Sequence, residues 1–395
     1  MQPSKEEYKF LNKEVSNFIK KIKTKDMTPV AGGSFAKDTW LSREYDIDIF
    51  AKFNYNKYKK KDISKELKKI LNKKFKKVII LHGSRDYFQI KNKITFEIIP
   101  VLNITSSKLA KNITDMSPLH AKYINKKLNN KLANEVRLLK QFCKANDVYG
   151  AESYIKGFSG YVLELLIVNY KSFKNLIKNA SKWKSKTILD PEKHHKNKDI
   201  LNVLNKSKIY SPLIIIDPVQ KERNAAAAIS KERYNKFIKL CKSYLKVPSD
   251  KFFIKKELDL KKLKDYTILK VKPLKGKKDI IGSKLLKAFE FIKKELEKEG
   301  FKLKDSNWKW EKDAYFYFLP EKDKLKSYKI HYGPRLKDKK HMGIFKKKWE
   351  KIYKDKNRVF TKIKRKKIKF KDVIKGIIKE NYLKNKVRKI IISKK

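Results

Sequence analysis

Gly32-Gly33-Ser34-Phe35-Ala36-Lys37-Asp38-Thr39-Trp40-Leu41 is followed by Asp46-Ile47-Asp48-Ile49-Phe50, and these residues decide how the rest of the chain is understood. Pro29-Val30-Ala31 is a short apolar run entering a glycine turn, and Tyr45 to Phe50 alternates Asp46 and Asp48 with Ile47 and Ile49 as a strand does. Residues two apart on a strand share a face, so the two carboxylates project side by side. Two such anions repel unless a cation joins them. Magnesium takes hard oxygen ligands and leaves part of its shell to substrate phosphates, so the pair suits a metal and a nucleoside triphosphate. Gly32-Gly33 removes side chains where a backbone must approach phosphate, while the Ser34 hydroxyl and nearby amides can donate to its oxygens. Lys37 adds a cation one helical turn later. Gly-Gly-Ser alone often marks a tight turn, and Asp-x-Asp alone is common on solvated surfaces. It is their combination, with twelve residues from Ser34 to Asp46, that is specific.

A site for two metals needs a third carboxylate. Thr95-Phe96-Glu97-Ile98-Ile99-Pro100 supplies Glu97, an acid within an apolar strand that is costly unless a partner such as a metal compensates it. Asp86 is the alternative. These parts allow a hydroxyl to attack the α-phosphate of a nucleotide with loss of pyrophosphate. In that scheme Asp48 and Glu97 hold one metal, Asp46 and Asp48 the other.

Working outward, 395 residues exceed one ordinary core and suggest three domains. Apolar residues make up 41% and aromatics 12%, which excludes a disordered chain. Lys and Arg total 103 against 42 Asp and Glu, a formal charge of +61 for which nucleic acid is the obvious counter-charge. Most of that excess is Lys, so compositional bias or a hot habitat competes with a dedicated binding surface. Cys143 and Cys241 stand nearly a hundred positions apart in helical patterns and suggest neither a disulfide framework nor a zinc knuckle; a reducing cytoplasm fits. There is no apolar leader at Met1 to Lys25 and no run of about 20 apolar residues, so neither secretion nor a membrane is supported.

Tyr8, Leu11, Val15, Phe18 and Ile22 recur at helical spacing over residues 5–25, and further strands are expected at Lys77 to Leu81 and Ile94 to Leu102. From Asn134 to Tyr170 the pattern is helical. Residues 180–210 are expected to form an exposed connection in which His194 and His195 belong to a solvated loop. Leu213 to Ile216 is a buried strand ending at Asp217-Pro218, after which a helix is expected to open at Arg223-Asn224-Ala225-Ala226-Ala227-Ala228 and reach about Leu245. Beyond Pro248, strands at Thr267 to Val271, Ala314 to Leu319 and Tyr328 to Tyr332 with a helix at Ser283 to Leu296 give a β-α-β-β order. A basic helical tail follows from Val373.

The catalytic stretch resembles the signature of archaeal, class I CCA-adding tRNA nucleotidyltransferases, in the polymerase-β-like superfamily. The likeness continues through Ser117-Pro118-Leu119-His120, Glu135-Val136-Arg137-Leu138-Leu139-Lys140, Val148-Tyr149-Gly150-Ala151-Glu152 and Gly157-Phe158-Ser159-Gly160-Tyr161. It extends to Asp217-Pro218 with Arg223-Asn224-Ala225, and to Gly333-Pro334-Arg335 with His341-Met342-Gly343, and so spans roughly residues 30 to 345. The resemblance implies an α+β multidomain chain: a nucleotidyltransferase head of mixed sheet and helices over residues 1–133, a mainly helical central domain over 134–250, and a C-terminal α/β RNA-binding body with a basic tail over 251–395. It implies that Ser34 and Lys37 bind the triphosphate, that Asp46, Asp48 and Glu97 hold magnesium, and that His120, Lys140 and Tyr149 contact the nucleotide. Arg223 would help select the base. Two positions depart from the family's usual pattern: Glu97 stands where Asp is common, and Lys37 where Arg is common.

The implied activity is template-free addition of C, C and A to the 3′ end of tRNA from CTP and ATP. Aromatics interleaved with lysines, such as Trp308-Lys309-Trp310 and Phe345-Lys346-Lys347-Lys348-Trp349, suit unpaired bases, although such spacings also build cores. A basic C-terminal body gripping the tRNA acceptor arm follows from the charge. A poly(A) polymerase, an oligoadenylate synthetase-like enzyme and a catalytically inactive RNA-binding homologue are the rival functions. The sequence is compatible with a homodimer.

Overall fold

Helix Lys5–Ile22 starts at a capping box, in which the Ser4 hydroxyl accepts from the Glu7 amide while the Glu7 carboxylate accepts from the Ser4 amide. It buries Leu11, Val15, Phe18 and Ile22, the face its periodicity predicts. In this computed structural model, which describes residues 1–311, 313–366 and 368–393, the chain divides into two units, Met1–Lys256 and Glu257–Lys395.

In the first unit, strands β1 (Met27–Ala31), β2 (Asp46–Phe53), β3 (Ile79–Leu81), β4 (Tyr87–Lys91) and β5 (Thr95–Leu102) form one sheet in the order β1-β2-β5-β4-β3. Strands β2 and β5 run parallel and the other pairs antiparallel, giving the mixed sheet expected of a polymerase-β-like head. Ile47, Ile49, Phe53, Phe96 and Ile98 turn into a core closed by Leu11, Val15, Phe18 and the Leu67–Leu71 face of helix Ile63–Lys74. Strand β4 was not anticipated from the sequence. Only Phe88 and Ile90 of its five residues are buried, too short an alternation to stand out.

A second core in the same unit gathers helices Asn130–Ala145, Gly160–Tyr170, Phe173–Ala180 and Lys231–Lys246. Two expectations need correction. The helix predicted to open at Arg223 begins instead at Lys231, with Ser230 as its N-cap. Asn224 prevents the earlier start: its side chain accepts from the amides of Ile215 and Ala226 and donates to the carbonyls of Lys208 and Leu213, fixing a non-helical turn. The connection at 180–210 is also more than an exposed loop, because β6 (Thr187–Leu189) pairs in parallel with β7 (Leu213–Ile215) and His195 is buried.

In the second unit, β8 (Thr267–Lys272), β9 (Leu303–Trp310) and β10 (Ala314–Pro320) pack against helix Lys278–Lys298 through Leu269, Val271, Phe316, Phe318, Leu285 and Ile292. Trp308 and Trp310 pack against this core. A second sheet orders β11 (Tyr328–Arg335), β12 (Tyr353–Asp355) and β13 (Arg358–Lys364) as β11-β13-β12. The tail is not wholly helical: after helices Phe370–Ile377 and Asn381–Lys384, β14 (Lys389–Ile392) returns to pair antiparallel with β8. Alternating Ile390 and Ile392 pack on the core, a period of two hidden by the surrounding lysines.

Candidate active site

The register of the parallel pair sets Asp48 directly beside Glu97, and Asp46 beside Thr95. From β4, the Gln89 side-chain amide donates to Glu97 Oε1 at 2.9 Å. Loss of water and then the charge of Glu97 raise the Asp48 carboxyl to about 6; Asp46 pushes the same way, while Lys37 and Lys140 oppose it. Such mutually repelling oxygens are a donor set for a hard cation. Among the described residues no group of three or more His, Cys, Asp or Glu side chains is arranged to hold a metal ion. The alternative third acid, Asp86, lies in the β3–β4 turn and meets His82 Nδ1 at 2.9 Å.

The glycine turn lies against these acids. Gly33 has φ +56°, and a Cβ built there would stand 1.7 Å from Asp48 Oδ2. The Gly32 amide donates to the Asp48 carbonyl at 2.8 Å. Ser34 follows within the short helix Gly33–Ala36, whose last carbonyl accepts from the Asn125 side chain at 2.9 Å.

Beyond the turn, two lysines converge on a carboxylate that the sequence reading passed over. Glu164 is wholly buried and meets Lys37 Nζ at 2.6 Å through Oε2 and the Thr39 hydroxyl at 2.9 Å through Oε1. Lys140 Nζ donates to the Thr39 carbonyl at 2.8 Å and its hydroxyl at 2.9 Å, and lies 3.7 Å from Glu164 Oε1. Burial lowers the Lys140 ammonium to about 8, with Glu164 holding it up and Lys37 pulling it further down. The Tyr149 hydroxyl and Lys140 Nζ both flank Gly160, and burial pushes that phenol up. The one available signal for Glu164 was an acid interrupting the otherwise apolar run Val162 to Val168.

A third group surrounds Asp217. His120 Nε2 stands 3.0 Å from its Oδ2, though poorly aligned for a hydrogen bond. Arg223 forms an ion pair with the same oxygen, and the Tyr161 hydroxyl donates to Oδ1 at 3.2 Å. Burial works to raise the Asp217 carboxyl, but His120 and Arg223 outweigh it and hold it at about 2. Tyr161 also packs on the His120 ring, centroids 4.5 Å apart. The residues singled out in the sequence therefore fall into three sets: acids with the glycine turn, Lys37 and Lys140 with Tyr149 alongside, and His120 with Arg223. Glu164 holds the two lysines of the second set, and Asp217 holds His120 and Arg223 of the third.

Residues 13–118 match the family model "Nucleotidyltransferase domain", and residues 134–254 match "tRNA nucleotidyltransferase, second domain". The mixed sheet and the match over residues 13–118 define the class, a nucleotidyltransferase. Residues 268–394 match "CCA-adding enzyme, C-terminal domain". The CCA-adding enzyme of Nanoarchaeum equitans is 36% identical over 337 residues, covering 84% of this chain and 83% of its own. That of Sulfurisphaera tokodaii is 31% identical over 341 residues, covering 85% and 79%. The chain belongs to the CCA-adding enzymes, tRNA nucleotidyltransferases that add CCA to tRNA without a template. The solved structure of the Cid1 poly(U) polymerase shares the fold, with a TM-score of 0.51 at 14% identity over 65% of this chain and 95% of that one.

Proposed function

We propose that CCA addition proceeds at the edge formed by Asp46, Asp48 and Glu97, with the 3′ hydroxyl of tRNA attacking the α-phosphate of CTP or ATP and pyrophosphate leaving. The observation that carries this is the register of Asp48 with Glu97 beneath the Gly33 turn. Magnesium is the ion the donor set fits; held by Asp46, Asp48 and Glu97, it would supply positive charge to the attacking hydroxyl and the phosphate oxygens. The backbone of Gly32 and Gly33 and the Ser34 hydroxyl hold the triphosphate, and Lys37 and Lys140 offset its charge while the Tyr149 hydroxyl donates to it. His120 and Arg223, set by Asp217, face the nucleoside, and the Arg223 guanidinium donates to the base edge that distinguishes the substrates.

The head at 1–133, the helical domain at 134–250 and the body with tail at 251–395 divide these tasks, the last gripping the acceptor arm. No helix among the described residues is long and apolar enough to cross a membrane. Both cysteines are buried and unpaired, which supports work in a reducing cytoplasm. Replacing Asp46 and Asp48 together with Ala tests the assignment: incorporation should fall to background while tRNA binding, read by filter retention, stays within severalfold. Retained incorporation would remove these acids from the chemistry.

A further inference from the structure

The segment Asp190-Pro191-Glu192-Lys193-His194-His195, expected from the sequence to be a solvated loop, touches the Asp217–Arg223 turn on one side and helix Ser117–Lys127, which carries His120, on the other. Its own shape is fixed first: the Asp190 carboxylate accepts from the His194 amide at 3.1 Å and the His195 amide at 2.8 Å, and Lys193 takes φ +53°. This turn aims both imidazoles one way. His194 Nε2 lies 2.9 Å from the Pro218 carbonyl and His195 Nε2 lies 2.8 Å from the Lys221 carbonyl. A carbonyl only accepts, so both rings donate from Nε2. On its other side the segment holds the helix that carries His120: Glu192 Oε1 accepts from the Tyr123 hydroxyl at 2.6 Å and from Lys127 Nζ at 2.7 Å.

The turn so gripped is short. The Gln220 amide donates to the Asp217 carbonyl and the Arg223 amide to the Gln220 carbonyl, so no helix or long strand stiffens residues 218–222. The ends of the turn are pinned, by the antiparallel bridge of Ile216 with Asn224 and by the Asp217–Arg223 ion pair, while the Pro218 and Lys221 carbonyls between them are met by the two imidazoles. We propose that Glu192, His194 and His195 form a strap that positions the Asp217–Arg223 turn against the His120 helix, and so acts as a specificity determinant for the incoming base. The three are positioning residues: each acts through Arg223 and His120. The strap's contribution to selection rests on the assignment of Arg223 to the base.

The test uses the full chain and single-nucleotide addition to tRNA lacking its 3′ end and to tRNA ending in CC. For His194→Ala/His195→Ala, KM for CTP and ATP is expected to rise about 3- to 10-fold while kcat changes less than about twofold, with more misincorporation of UTP and GTP. Amide hydrogen exchange at residues 219–223 should accelerate. His194→Gln/His195→Gln, whose side-chain amides can donate at similar reach, should restore both. Unchanged exchange and discrimination in the Ala pair would overturn the strap, and so would a loss of kcat shared by all four nucleotides that Gln does not rescue. Arg223→Ala separates the two ideas. If it relaxes discrimination and the histidine pair does not, the strap alone falls; if it leaves discrimination intact, the base-reading assignment falls and takes the strap's role with it.

Discussion

A methyl group at Gly33 has nowhere to go, since the backbone there is left-handed and the Cβ would enter the space of Asp48 Oδ2. Gly33→Ala is expected to cost about 1–3 kcal/mol in a denaturant melt, and to reduce turnover further because relief comes by displacing Asp48. Glu164 sets a second expectation. Lys140 carries its charge below about 8 and loses it above. Glu164 favours the charged form, so Glu164→Gln should lower that value, and KM for nucleotide should begin its rise at a lower pH than in the unsubstituted chain. A pH-independent change in KM would argue against the lysine pair. Asp46, Asp48 and the glycine turn were legible because they are close in sequence and each needs an unusual residue type. Glu164 was not, because its partners Lys37 and Thr39 lie 127 and 125 positions away.

Elements read well wherever one face alone is buried over several turns. Helix Lys5–Ile22 and helix Lys278–Lys298 show this period, and so does the alternation of β10. The misread elements failed for separate reasons. Residues 223–228 look helical by their alanines, yet Asn224 spends its side chain on four backbone groups of neighbouring segments, information that lies outside any local window. Asn224→Ala should therefore destabilise the first unit by about 2–4 kcal/mol in urea unfolding, more than an exposed cap would. The tail misled through charge: Arg388 and Lys389, with the lysines before them, suggested that the basic helix continued, whereas β8 offered an unpaired edge that a four-residue strand covers.

At the scale of the whole molecule, a formal charge of +61 has to meet a polyanion or be screened. If the lysines grip tRNA phosphates, affinity should fall by about tenfold or more between about 50 and 200 mM salt. Affinity unchanged over that range would assign the excess to composition. The central claim is narrower and more direct to test. The full chain should be incubated with tRNA lacking its 3′ end, magnesium, and labelled CTP and ATP separately and together. CTP alone should give addition of C, ATP should enter efficiently only after the cytidines, and growth should stop at CCA. Long adenosine tracts, or ATP entering without prior C, would contradict it.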